Sequence, residues 1–334
     1  MAARWGRRDF IKIAGAAAAG SILPFGRDAA AGGDAGKPGP RVAVVTAADY
    51  AGKAEDVPAD KAAALVSAAV AAVTGAAEGD AAWKALFTPA DRVAIKVNTI
   101  AGAKLSTHPS IVSAIVAGVV SAGVKPSNVL VFDRHERELK RAGFAVGPDA
   151  SGVRCLATDS PAIGYSEGII TSGSVGSLWS RAVTDFATAI VNVPLVKDHD
   201  LCGVSLGMKN LYGVIHNPNK YHDDGCDPYI ADVSACPVIR GKMRLIVIDG
   251  LVAQVEGGPA YSPSGAYRYA GIIAGTDPVA TDRVGCEEVE RLRKEMGFKT
   301  LAEAGRAAKY IRTAADRGLG VADISKIEVV RARV

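Results

Sequence analysis

The chain has 334 residues, 49% of them apolar and only 6% aromatic, with a formal net charge of +4. Residues 1–31 carry Arg4, Arg7, Arg8, Lys12 and Arg27 against Asp9 and Asp28, which is +3, so the rest of the chain is near +1. That balance excludes the basic field of a nucleic-acid-binding protein, and about 300 remaining residues suffice for one large α/β domain with an aliphatic core.

The N-terminus reads as an address rather than as fold. Arg7-Arg8-Asp9-Phe10-Ile11-Lys12 has the form of a twin-arginine export signal. An apolar stretch follows from Ile13 to Phe25, and Ala29-Ala30-Ala31 precedes Gly32 as a small-residue cleavage pattern. Residues 1–31 are therefore expected to be a signal peptide, 32–40 a flexible leader, and 41–334 a single α/β domain. The expected location is periplasmic or extracellular, reached in the folded state, with the twin-arginine translocase as a partner during export. The apolar stretch falls short of the ~20 residues that span a bilayer and contains Gly15, Gly20 and Pro24, so no permanent membrane span is expected.

In chain order, Arg41–Thr46 reads as a strand. Asp60 is placed to cap a helix running to Val73, with Gly75 ending it. Val93–Val97 is a second strand, and Thr107-His108-Pro109 opens a helix that Gly123 closes. Asn128–Phe132 is a third strand, ending on Asp133. The second half predicts a strand over Ala189–Val196, a helix over Gly203–Tyr212, and strands over Leu245–Ile248 and Tyr269–Ile273. Asp277-Pro278 caps a helix to Met296, Leu301–Arg317 is another helix, and Ile327–Val330 a closing strand. Strand–helix–strand alternation at this spacing predicts an α/β fold, a mixed but mainly parallel sheet flanked by helices, with room for a smaller subdomain. Several apolar strands end in polar residues: Lys96 and Asn98, Asp133, Lys197 to Asp200, and Asp249. In open α/β sheets ligands bind at the carboxyl ends of strands, so these residues are expected to line one crevice.

Five cysteines, none in a C-x-x-C pair, give no zinc-ribbon or cluster motif. Cys226 and Cys236 are close enough in sequence to pair in an oxidising compartment, and buried free thiols are the simpler reading. The chain has no phosphate-binding P-loop, no G-x-G-x-x-G after its first strand and no G-x-S-x-G, which argues against nucleotide-dependent and serine-hydrolase chemistry.

The densest chemistry lies in residues 197–224, where three of the five histidines fall. Lys209 sits in a mostly apolar segment, where it either neutralises an anionic ligand, acts as a base, or packs its stem while its head reaches water. His199, His216 and His222 with nearby aspartates have the chemistry for a divalent metal, without the spacing of a specific motif. Asp249 ends a strand, and Glu256 precedes Gly257-Gly258-Pro259, whose backbone N–H groups could face an anion. Asp277 is explained as a helix cap, and Asp282 could face either way.

Together Ile95-Lys96-Val97-Asn98, Thr107-His108-Pro109, Lys197-Asp198-His199, Lys209-Asn210-Leu211-Tyr212-Gly213, His222, Asp249-Gly250, Glu256-Gly257-Gly258-Pro259 and Asp277-Pro278-Val279-Ala280-Thr281-Asp282 occur in order. This set resembles the bacterial and archaeal family known as domain of unknown function 362, over roughly residues 90–290. The resemblance implies that Lys197, His199, Lys209, Asn210 and His222 belong to one site. Many members carry a ferredoxin segment. This chain lacks the four-cysteine run such a segment needs, so an iron–sulfur cluster is not expected.

The expectation is an exported enzyme acting on an anionic small molecule, a lyase, hydrolase or oxidoreductase with room for a divalent metal. The alternative is a periplasmic metal or cofactor carrier. Lys96, Lys197, His199, Lys209, Asp249 and Glu256 are the candidate catalytic residues. Asn98, Asn210, Gly257 and Gly258 are candidates for holding the ligand, and His199 and His222 for holding a metal.

Overall fold

Strand-forming runs of Val, Ile and Ala build a broad sheet, and their alternation decides what each face meets. The computed structural model describes residues 39–47, 57–77, 79–149 and 151–334; the expected signal peptide and most of the leader lie outside the described residues. The first strands are β1 (Arg41–Thr46), β2 (Val93–Lys96), β3 (Val129–Asp133), β4 (Gly147–Pro148) and β5 (Arg154–Ala157). After a separate hairpin, β6 (Ile170–Ser172) and β7 (Val175–Ser177), come β8 (Ala189–Asn192), β9 (Leu195–His199), β10 (Gly203–Val204), β11 (Met243–Gln254), β12 (Ala266–Tyr267), β13 (Gly271–Gly275) and β14 (Glu328–Arg333).

The sheet runs β14-β1-β13-β11-β8-β2-β3-β5-β4, with β9 beside β11, β10 on β9 and β12 on β11. The contiguous block β11, β8, β2, β3 and β5 is parallel throughout, while β13 and β4 run against their neighbours. The fold is thus α/β with a mixed, mainly parallel sheet, as the strand–helix alternation predicts.

Period-two alternation sends Ala43, Ile95, Val131, Val191 and Val247 into one core and Val44, Ala94, Phe132, Ile190 and Ile246 into another. The first core is covered by α1 (Ala59–Thr74) and α2 (Pro109–Ser121). The second is covered by α3 (Gly207–Asn210), α4 (Tyr229–Ala235), α5 (Pro278–Glu295) and α6 (Lys309–Asp316). Lys96 shares its face with Ala94, so the parity of β2 directs a lysine toward the second helical layer.

Local signals explain most element ends. Asp277 caps α5 as predicted, its Oδ1 accepting from the N–H groups of Val279 at 2.9 Å and Ala280 at 2.8 Å. Gly75 closes α1 in the left-handed region, but Pro58 rather than Asp60 precedes that helix, and Asp60 lies in its first turn. Three expectations change. The strand predicted over 189–196 is two strands, because Pro194 has no N–H for the ladder; its carbonyl instead accepts from the Asp249 N–H at 2.8 Å. The helix predicted over 203–212 shrinks to α3 and one following turn, because Gly203 (φ +81°) turns the chain back so that β10 pairs with β9. The helix predicted over 301–317 begins only at Lys309, after Gly305 takes a left-handed conformation.

Candidate functional site

Strands β2, β3 and β9 deliver their last residues to one cleft of about 330 Å³ at the carboxyl edge of the parallel block. Lys96, Asn98, Asp133, Lys197, His199, Lys209, Asn210 and His222 all line it. All eight are singled out from sequence, Asp133 as the polar end of its strand.

The three lysines are held differently. Lys96 Nζ lies 2.7 Å from Asp133 Oδ1 and donates to the Val97 carbonyl at 2.6 Å, so its charge is compensated inside the fold. A Cβ on Gly213 would sit 2.7 Å from Lys96 Nζ, so close approach explains a glycine after Tyr212. Lys197 is fully buried and donates only to neutral acceptors, Asn98 Oδ1 at 3.2 Å and the Pro259 carbonyl at 3.4 Å. Burial, with the charge of Lys209 second, brings its pKa down to about 8. Lys209 is 7% exposed; its Nζ lies 3.3 Å from His222 Nε2 and 3.9 Å from the centre of the Tyr212 ring. Burial lowers its pKa too. Among the described residues neither Lys197 nor Lys209 has a carboxylate within ion-pair distance. Asp133 is committed to Lys96 and to the Thr99 hydroxyl and N–H. Asp198 is committed to Arg306 at 2.6 Å and the Gly258 N–H at 2.8 Å.

The asparagines form a rigid relay. Asn98 Nδ2 donates to Asn210 Oδ1 at 2.9 Å, Asn210 Nδ2 to Asn192 Oδ1 at 2.7 Å, and Asn192 Nδ2 to the Gly207 carbonyl at 2.7 Å. The start of α3 is pinned from below by Asp282, which is fully buried in α5. Its two oxygens accept from the Gly207 N–H at 2.7 Å and the Met208 N–H at 3.0 Å, and Tyr310 donates its hydroxyl at 3.0 Å. Burial raises the Asp282 carboxyl to about 7.

The histidines are fixed by their backbone neighbours. His222 Nδ1 lies 3.0 Å from the Pro218 carbonyl, which can only accept, so Nδ1 carries the proton and Nε2 is the lone-pair atom facing Lys209. The His199 ring stacks 5.9 Å from that of His222, and its Nδ1 is engaged by Leu201 N at 3.2 Å and by Asp200 at 2.9 Å. Burial, then Lys209, lowers His199 to about 2, so it is a neutral imidazole.

This arrangement fits an anion better than a divalent metal. Among the described residues no three His, Cys, Asp or Glu side chains converge, and the Lys209 ammonium occupies the lone pair that His222 would offer a metal. The metal expected on His199 and His222 therefore lacks a third ligand among the described residues, and the His222 lone pair is taken by Lys209.

The order of motifs along the chain and their convergence on one cleft point to a common origin with known sequences. The family described as Domain of unknown function (DUF362) matches residues 93–287. The chain belongs to that family. No curated protein and no solved structure matches it. The matched DUF362 segment holds every residue of the cleft together with Asp282, while Arg306 and Tyr310 lie beyond it.

Four of the candidate catalytic and ligand-holding residues do not line the cleft, and neither does His216. Asp249 is buried in β11, where it accepts from the N–H groups of His108 at 2.8 Å and Leu251 at 2.9 Å. It fixes the start of α2 beside a different cavity, lined also by Lys104 and Arg141. Glu256 pairs with Arg293 at 2.6 Å and with Arg306, closing a network that also holds Asp198. Gly258 spends its N–H on Asp198, and a Cβ there would meet the Asp198 carbonyl at 2.2 Å, so the glycine serves packing rather than an anion. Gly257 takes φ +85° beside Ser262 and shapes the same turn.

Sequence reasoning missed Asn192, Tyr212 and the structural part of Asp282. The signal for Asn192 was a polar residue closing an apolar strand, the signal that found Lys96. All five cysteines are free and buried, so Cys226 and Cys236 are not paired, and the Cys202 thiol donates to the Val204 carbonyl at 3.4 Å.

Proposed function

We propose that this DUF362 protein binds a small anionic molecule in the lysine-lined cleft and transforms it by acid–base chemistry. One observation carries the reading: Lys197 and Lys209, both buried, face one cleft without a carboxylate partner among the described residues. Burying an ammonium is costly unless it is paired, and a ligand anion supplies the missing pair. Asn98 and Asn210, immobilised by their relay, orient polar groups of that ligand. The neutral imidazoles of His199 and His222 are the proton-transfer groups within the same cleft. Export rests on the Arg7-Arg8 pattern and places this chemistry in the periplasm or outside the cell.

The test is thermal unfolding and calorimetry of the purified protein with inorganic phosphate, sulfate, acetate and pyruvate. At about a hundred times its dissociation constant a bound anion adds about 2.7 kcal/mol of stability. At least one of these should raise the melting temperature of the wild type and not that of Lys197→Met. Equal shifts in both, or none in either, would overturn the reading.

A further inference from the structure

We propose that Lys209 is a nucleophilic amine that condenses with the carbonyl of a small oxo acid to form an imine, with His222 as its proton acceptor and Lys197 as the seat of the substrate carboxylate. This deepens the anion-binding reading above and rests on it. The geometry is that of an activated nucleophile: an amine, a base within 3.3 Å, and a backbone carbonyl 3.0 Å away that fixes the base with its lone pair toward the amine. The face of Tyr212 at 3.9 Å favours the ammonium form. Burial acts against it and prevails, so a larger share of Lys209 is free amine than for a lysine in water.

The neighbouring lysines are unsuited to the same step. Lys96 is tied to Asp133. Lys197 points its Nζ at two neutral oxygens, which hold it as a donor and give its proton no base to reach. An uncompensated ammonium beside a nucleophilic amine calls for a substrate carrying both a carbonyl and an anionic group. The cleft volume of about 330 Å³ limits that substrate to a small one.

The step balances without an oxidant or reductant. The neutral amine adds to the carbonyl carbon, and the nitrogen proton passes to His222 Nε2. The protonated imidazole returns that proton to the alkoxide oxygen to give the carbinolamine, whose remaining N–H proton follows the same route through His222 to the hydroxyl, which leaves as water. A C=N bond has replaced C=O, and water is the sole by-product.

The experiment treats the full chain with glyoxylate or pyruvate and sodium cyanoborohydride, then locates the reduced adduct by peptide mass mapping. One adduct per chain on the peptide holding Lys209 is expected, absent in Lys209→Arg and in Lys209→Met. His222→Gln should slow it about a hundredfold, the lower end of what a positioned base contributes. Lys197→Met should slow labelling by glyoxylate but not by formaldehyde, which has no carboxylate to seat. Calorimetry with pyruvate and phosphate, without reductant, runs alongside with circular dichroism of each variant. Anion binding that depends on Lys197, with no adduct on Lys209, overturns the imine and leaves the anion site standing. No anion binding and no adduct overturns both. Adducts spread equally over surface lysines in wild type and Lys209→Arg also overturn the imine.

Discussion

Replacing Lys197 by methionine should make the protein more stable while disabling its site. The Lys197 ammonium is fully buried, and its pKa falls from 10.5 to about 8, chiefly through burial and then through Lys209. A depression of that size corresponds to about 3 kcal/mol of unfavourable free energy for the charged form in the folded state. Below about pH 8 both folded and unfolded chains carry the charge, and the folded chain bears the whole penalty. Between about 8 and 10.5 the folded chain has released a proton that the unfolded chain retains, so stability rises with pH. Above that window both are neutral and the penalty is gone. Methionine removes the penalty but leaves Asn98 Oδ1 and the Pro259 carbonyl without a donor, a loss of about 1 kcal/mol. The variant should therefore be more stable by about 2 kcal/mol near neutrality, and the advantage should vanish or reverse by about pH 10.5. Urea unfolding of both proteins across that range measures the difference, and contributions common to both chains cancel. A difference that stays constant with pH, or a variant less stable at every pH by the same amount, would refute the argument that Lys197 is a buried, uncompensated charge.

Four further outcomes are expected. Asp282→Ala leaves the Gly207 and Met208 N–H groups and the Tyr310 hydroxyl without their acceptor, and should cost about 3 kcal/mol in urea unfolding; a loss below about 1 kcal/mol would show that α3 does not depend on it. Glu256→Gln weakens pairs to Arg293 and Arg306 at a half-exposed carboxylate, so calorimetry should show unchanged anion binding with a stability loss of about 1 kcal/mol; lost binding at unchanged stability would return Glu256 to the site. Gly213→Ala drives a methyl against Lys96 Cε and Nζ and should lower the melting temperature; an unchanged melting temperature would show that this close approach does not require the glycine. Replacing both Arg7 and Arg8 by lysine should leave the protein in the cytoplasmic fraction, as read by immunoblot of fractionated cells; unchanged export would remove the twin-arginine reading.

What was legible in the sequence was what depends on neighbours along the chain. Asp277-Pro278 announced α5 because a cap and its helix are adjacent. The long strands of the sheet were legible from their apolar runs, while β5 and the short strands β4, β6, β7, β10 and β12 were not, and the crevice was legible from the polar residues that end β2, β3 and β9. Lys197, His199, Lys209 and His222 stood out because one short stretch carries them. Asp249 and Glu256 carried the same local signal, a carboxylate at a strand end or a turn, yet their partners are His108 and Leu251 in one case and Arg293 and Arg306 in the other. Apart from Leu251, two residues from Asp249, nothing near either residue in sequence names those partners. The same holds for Asp282, whose acceptor role is defined by α3, some 75 residues earlier. The helix expected over 203–212 is shorter for a local reason: the decisive feature is the backbone turn at Gly203.

Composition cannot tell apart three lysines that end in one cleft, and their partners can. Lys96 sits on the parallel block, where β3 brings Asp133 to it by register, since Lys96 pairs with Phe132 and the aspartate is one residue further on. Lys197 comes from β9, which the break at Pro194 displaces from the line of β8, so no strand-end carboxylate is set against it. Its nearest carboxylate in sequence, Asp198, points to the opposite face of the strand, as period two requires, and is taken by Arg306. Lys209 arrives on α3, whose start is held by a carboxylate that is itself fully used on backbone N–H groups and Tyr310. The local carboxylates are thus spent on architecture, and two positive charges remain for whatever enters the cleft. Negative charge that the fold could supply cheaply, by one substitution at the rim, would stabilise the empty protein and compete with an anion for the same lysines. The absence of a carboxylate partner for Lys197 and Lys209 among the described residues is therefore the feature to perturb: Asn98→Asp should pair Lys197, raise its pKa, and weaken anion binding without displacing either lysine.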